Sequence, residues 1–169
     1  TILSNDNDIR SMFIIKYDTA GNFQWLEMPE NDTIGRNFRS NSYQMEVSPN
    51  GTVHWFCNLK SGSLAHTGQV ITQQGSYILV YNSRGQFLRR ISLPMKTSGF
   101  AISGIGSKRV NFIHNPQNGR YYIGGIHEDR RPLLIGGDTI RGYMYLAAFD
   151  STGQLLWKKE SNNDNGLSA

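Results

Sequence analysis

Two stretches of the chain are apolar without interruption, Tyr77-Ile-Leu-Val-Tyr81 and Tyr145-Leu-Ala-Ala-Phe149. An antiparallel strand with one wet face alternates apolar and polar residues, so a strand apolar at every position must be covered on both faces. Sheets packed face to face in series meet that requirement. The strands that follow alternate better, with Phe23 and Trp25 expected inward and Gln24 outward. No segment carries a sustained helical period. The pattern predicts an all-β protein.

The turns between these strands recur. Phe13 to Trp25, Tyr77 to Arg89 and Tyr145 to Trp157 align without gaps, each an apolar strand, an Asp/Asn-x-x-Gly turn and a second strand. The turn residues are Asp18 and Gly21, Asn82 and Gly85, Asp150 and Gly153, and the glycines lie 64 and 68 residues apart. Asp or Asn at the first position accepts hydrogen bonds from the backbone ahead of it, and Gly at the fourth supplies the positive φ that closes the hairpin. A second motif runs in phase: Tyr43 to Phe56 around Pro49-Asn50-Gly51 matches Val110 to Gly125 around Pro116-Gln-Asn118-Gly119. A weaker echo places Gly68-Gln-Val-Ile-Thr ahead of the second unit and Gly136-Gly-Asp-Thr-Ile ahead of the third. Two hairpins per period give four strands, the content of one propeller blade.

The expectation is therefore a β-propeller-like stack of four-stranded antiparallel blades. Residues 1–169 form one segment, with units at about 12–75, 76–142 and a partial 143–169. That amounts to about two and a half blades, whereas closed propellers use roughly four to eight. A start at Thr1 and a stop in mid-repeat at Ala169 suggest a fragment of a longer chain. The missing blades would then come from that chain or from other copies of this one.

Composition changes this picture little. Glycine is frequent and proline is not, as suits strands and turns. No apolar run is long enough to span a bilayer as a helix. Cys57 is the only cysteine, so no internal disulfide forms, and its apolar surroundings predict a buried thiol. Charge is uneven: residues 1–83 carry five basic and seven acidic groups, residues 84–159 twelve and four. The basic doublets Arg89-Arg90, Lys108-Arg109, Arg130-Arg131 and Lys158-Lys159 fall at different repeat positions. They read as solvated strand edges, and a nucleic-acid partner is not expected.

Candidate chemistry is sparse. His54, His66, His114 and His127 show no metal-ligand spacing, so no zinc site is expected. Glu27, Glu30, Glu46 and Glu128-Asp129 read as solvated carboxylates rather than a hydrolytic pair. Gly124-Gly125 and Gly136-Gly137 have no helix after them, which excludes a phosphate loop. Catalytic residues are therefore not expected in this segment. Asp32 and Asp164, in Asn-Asp loop clusters at equivalent positions, are the calcium candidates, with no other cofactor expected. Residues shared by the repeats are scaffold, among them Trp25 and Trp157. The unshared aromatics Trp55, Tyr121 and Tyr122 are the candidates for ligand contact.

The run F-I-I-K-Y-D-x-x-G-N-x-x-W, with V-S-P-N-G-x-x-x-W and Y-Y-I-G-G, resembles the SBBP-type β-propeller repeats of bacterial secreted and surface proteins. The Pro-Asn-Gly hairpin is similar to that of NHL and YVTN repeats. The resemblance covers about Met12 to Glu160, and departs from its own pattern at Arg89, where the neighbouring units have Trp25 and Trp157. It implies a secreted or cell-surface location and a non-catalytic binding or spacer module with a protein or glycan partner. Two alternatives stay open: a glycan-binding propeller closed by self-association, and part of a propeller enzyme whose active site lies mostly in other blades.

Overall fold

The computed structural model describes residues 13–27, 41–59, 62–64, 69–71, 75–97, 110–126 and 132–161. No described residue is helical. A first hairpin pairs β1 (Ile14–Tyr17) with β2 (Phe23–Glu27). Next come β3 (Asn41–Val47), β4 (Val53–Leu59), a short pair β5 (Gly62–Leu64) and β6 (Gln69–Ile71), then β7 (Gly75–Tyr81) and β8 (Phe87–Leu93). After β9 (Met95–Thr97) come β10 (Val110–Asn115) and β11 (Arg120–Ile126), then the short β12 (Leu133–Ile135) and β13 (Asp138–Ile140). The last two are β14 (Met144–Phe149) and β15 (Leu155–Glu160).

Two four-stranded antiparallel sheets dominate. Sheet one runs β3-β4-β7-β8, and sheet two runs β10-β11-β14-β15. Each takes its first two strands from one sequence unit and its last two from the next, so the sheets straddle the boundaries at 75/76 and 142/143. The weak echo ahead of each unit proves to be the second strand of an extra hairpin. β5-β6 is inserted between β4 and β7, and β12-β13 between β11 and β14. β9 completes a three-stranded sheet by pairing with β12.

The three Asx-x-x-Gly turns share one geometry. Asp18, Asn82 and Asp150 each accept two backbone N–H bonds on Oδ1, at 2.8–3.0 Å, from the residues two and four ahead. Gly21, Gly85 and Gly153 close the turns at φ +85°, +85° and +92°. Beside each turn the ladder register slips by one residue. That bulge corrects one expectation. Phe23 pairs with Tyr17, and Trp25 pairs with Lys16, so the bulge places the two aromatics on opposite faces. Phe23 is exposed while Trp25 packs inward. In the second turn type, Asn50 and Asn118 accept from Thr52 and Arg120. With the extra Gln117, the sheet-two ladder keeps the sheet-one register (His114↔Tyr121 for Val47↔Val53) and runs one pair further, to Asn115↔Arg120.

Sheet one is buried on both faces. All seven residues of β4 are buried. One face of the sheet (Val53, Trp55, Cys57, Tyr77, Leu79, Tyr81) forms a core with Ile14 and Trp25 of the first hairpin. The other (Phe56, Ile78, Val80, Ile91) forms the main core with Phe112, Tyr121, Ile123, Ala147 and Phe149 of sheet two. Met95, Leu133, Ile135 and Ile140 of the small sheet complete that core. β3 and β10 lie close, since the Phe112 amide donates to Gln44 Oε1 at 2.9 Å. The described sheets form an open series and do not close a ring. Among the described residues no helix is long and apolar enough to cross a membrane.

Candidate functional site

The apolar pattern of β4 and β7 leaves little polar chemistry in the interior, so the few polar groups at the sheet-one/sheet-two junction stand out. The ladder aligns Glu46, His54, Val80 and Arg89 in one row across sheet one. Facing it, sheet two aligns His114, Tyr121, Phe149 and Leu155. The two rows meet beside the Ser48–Gly51 turn and enclose an open cleft of about 530 Å³. His54, Arg89, His114, Ser48, Asn50 and Thr52 supply its polar lining, and Val80, Leu88, Pro49 and Pro116 its apolar lining.

The cleft lining includes one departure from the repeat. In the first hairpin that repeat position is Trp25, which packs against sheet one. Its Nε1–H donates to the Ser83 carbonyl at 3.1 Å, and its ring lies against Gly85. In the next junction the same position holds Arg89, which is longer but thinner and keeps its charged end in water.

His54 and His114 stack with 3.8 Å between ring centroids. His54 Nδ1 lies 3.0 Å from the Tyr121 hydroxyl, and His114 Nδ1 lies 3.0 Å from Ser48 Oγ. The charge of Arg89 also acts on the Tyr121 hydroxyl. Either group can supply the proton of the His54–Tyr121 contact, because a phenol hydroxyl both donates and accepts. Burial, reinforced by the charges of His114 and Arg89, pushes the His54 pKa down to about 4. Burial and then Arg89 lower that of His114 as well. Near neutral pH both rings are uncharged, and the lining contains no carboxylate.

A second feature is the outer face of sheet two. Ile113, Met144, Leu146 and Trp157 lie exposed there, around a shallow trough of about 410 Å³ floored by Gly124. At the other end of the series, Phe13, Ile15, Tyr17, Phe23 and Leu26 of the first hairpin are exposed on one face.

The aromatic candidates fall unevenly. Trp55 is 2% exposed, with its Nε1–H donated to Ser42 Oγ, and the ring of Tyr121 is fully buried, so neither offers a face to a sugar. Tyr122 is half-buried on the outer face of sheet two, near Trp157. Cys57 is fully buried, and burial pushes its thiol pKa up, away from nucleophilic use. Arg89 faces the cleft, whereas Arg90 lies over the Tyr77 ring at 5.6 Å, so that doublet splits across two faces. Lys158 pairs with Asp138 at 2.8 Å. The calcium candidates Asp32 and Asp164, the doublets Lys108-Arg109 and Arg130-Arg131, and His66 and His127 lie outside the described residues. No group of three or more potential metal ligands occurs among the described residues.

Spacing alone missed the His54–His114 pair, because the two lie 60 residues apart. A usable signal existed: each flanks a Pro-x-Asn-Gly or Pro-Asn-Gly turn, and stacking those turns brings the flanks together. No protein-family model, curated protein or solved structure matches the chain.

Proposed function

We propose that the chain is a non-catalytic, β-propeller-like module of a secreted or cell-surface bacterial protein, working as a binding or spacer scaffold. The observation that carries this is the pair of bare apolar faces at the ends of the sheet series. Ile78 is fully buried between the sheets, while its sequence equivalent Leu146 is exposed. Likewise Tyr77, Leu79, Tyr81 and Phe87 pack against the first hairpin, while their equivalents Phe13, Ile15, Tyr17 and Phe23 are exposed. Contiguous apolar surface of this kind marks a docking face. Its shape suits another sheet of the same kind, because the identical pattern already packs that way inside the chain. The secreted or surface location rests on the motif resemblance. The open cleft between the sheets favours a second reading, a glycan-binding propeller.

Light scattering on the 169-residue chain tests the scaffold reading. Mass should rise with concentration, and Phe13→Glu or Leu146→Glu should each hold the chain at the monomer. Mixing the two variants should restore a dimer, since each keeps the face that the other lacks. A parent chain that stays monomeric, with its apolar ends wet, overturns the proposal.

A further inference from the structure

We propose that the cleft between sheet one and sheet two binds the carboxylate of an acidic sugar, with Arg89 as the pairing cation and the His54–His114 stack as neutral hydrogen-bonding partners. This rests on the binding-module reading, but not on how the end faces are covered. Four observations converge. The cleft, at about 530 Å³, lies within the roughly 300–1,000 Å³ typical of small-molecule sites. At this junction Arg89 stands where the neighbouring units have Trp25 and Trp157. The lining holds one permanent positive charge and no carboxylate, with Glu46 the neighbour of His54 just outside it. Ser48, Asn50 and Thr52 sit beside Pro49, Pro116 and Leu88, a mixture of hydrogen-bonding and apolar groups that matches the edges and faces of a sugar ring.

The charge count selects the ligand class. A single planar guanidinium pairs with a single planar carboxylate through two parallel N–H···O bonds. A phosphate dianion would leave one charge unbalanced among uncharged imidazoles. His54, with Nδ1 at Tyr121, has its Nε2 for the ligand. His114, with Nδ1 at Ser48, has its own Nε2 for the same ligand.

The histidines also couple binding to pH. The groups packed around His54 are Arg89 from β8, His114 from β10, Tyr121 from β11 and Glu46 beside it in the β3–β4 ladder. Glu46 is not part of the cleft lining. Burial first, and then the nearby positive charge of Arg89, holds both pKa values down, so protonating either stacked ring meets repulsion from Arg89. A bound carboxylate cancels that repulsion. It should raise the histidine pKa values, and by linkage its own affinity should rise as pH falls below neutrality.

The test follows the His54 and His114 ring resonances by NMR in the Leu146→Glu chain, with glucuronate, glucose and inorganic phosphate as probes. That background separates ligand binding from self-association. Glucuronate should shift both rings and move their titration upward, glucose should do neither, and phosphate should bind more weakly than glucuronate. Arg89→Gln should weaken glucuronate binding by roughly tenfold or more, the range expected for a charge-assisted pair. Arg89→Trp, which restores the residue found in the neighbouring units, should abolish binding and keep the fold. The proposal is overturned if glucuronate moves neither ring, if glucose or phosphate binds as tightly, or if Arg89→Gln binds like the parent.

Discussion

Sheet one and sheet two share a strand order, a turn chemistry and an apolar third strand, β7 in one and β14 in the other. Their surroundings differ. Sheet one has the first hairpin on one face and sheet two on the other, and every residue of β7 from Ser76 to Tyr81 is buried. Among the described residues sheet two is covered on one face alone, and β14 reverts to exposure at Met144 and Leu146. The apolar pattern is thus a property of the strand, while burial is a property of its neighbours. Where pattern and burial agree, the strand has found its partners. Where they disagree, as on the outer face of sheet two, the strand still has a face to cover.

The sharpest way to break this comparison is to truncate the same position in both sheets. Ile78→Ala opens a hole in the main core and should cost about 2–5 kcal/mol. Leu146→Ala removes a side chain that is 44% exposed, and in the monomeric chain should cost under about 1 kcal/mol. Denaturant unfolding of the two variants measures the difference. Equal costs would mean that the outer face of sheet two is already covered.

A smaller contrast lies in the turns. Gly21 and Gly85 have the same positive φ, but a Cβ at Gly21 meets nothing within 4 Å, whereas one at Gly85 would sit 2.8 Å from the Trp25 ring. Gly21→Ala carries the left-handed backbone cost alone, about 1 kcal/mol. Gly85→Ala adds the displacement of Trp25, about 1–3 kcal/mol more. Similar thermal shifts for both variants would show that Trp25 yields freely.

Much of this architecture was legible in the chain. The Asx-x-x-Gly turns were readable because their chemistry is local: one side-chain oxygen and one glycine fix four residues. The double-sided burial of β7 followed from its unbroken apolar run. Three things were not legible. The bulge beside each turn puts Phe23 and Trp25 on opposite faces, and a strict period of two cannot show a one-residue slip. The extra hairpins β5-β6 and β12-β13 are too short to carry a period at all. The His54–His114–Arg89 cluster joins three strands distant in sequence, so no spacing rule reaches it. Arg89 did stand out as a break in the repeat, and that break marks the cleft.

The smallest predicted effect separates the two sheets by acid. The β7–β8 turn of sheet one uses Asn82, which does not titrate, while the β14–β15 turn of sheet two uses Asp150 and the first hairpin uses Asp18. The Asn22 side chain and then its backbone amide hold the Asp18 pKa below the usual range, and the Thr152 hydroxyl and the Gln154 amide do the same for Asp150. A carboxyl with a lowered folded-state pKa adds stability that is complete above its unfolded value, about 4. That stability is lost as pH falls through the lowered folded value. Asp138, lowered by Lys158, and Glu160, lowered by the Gly142 and Arg141 amides, follow the same sign. Replacing Asp18 and Asp150 together by Asn should therefore leave the melting temperature at pH 7 nearly unchanged, since Asn82 makes the same backbone contacts. It should also reduce, without abolishing, the loss of stability between about pH 5 and pH 2, the window below the carboxylates' ordinary pKa. Melting curves across that window decide the point, and an undiminished acid slope would locate the sensitivity in Asp138 and Glu160 instead of the turns.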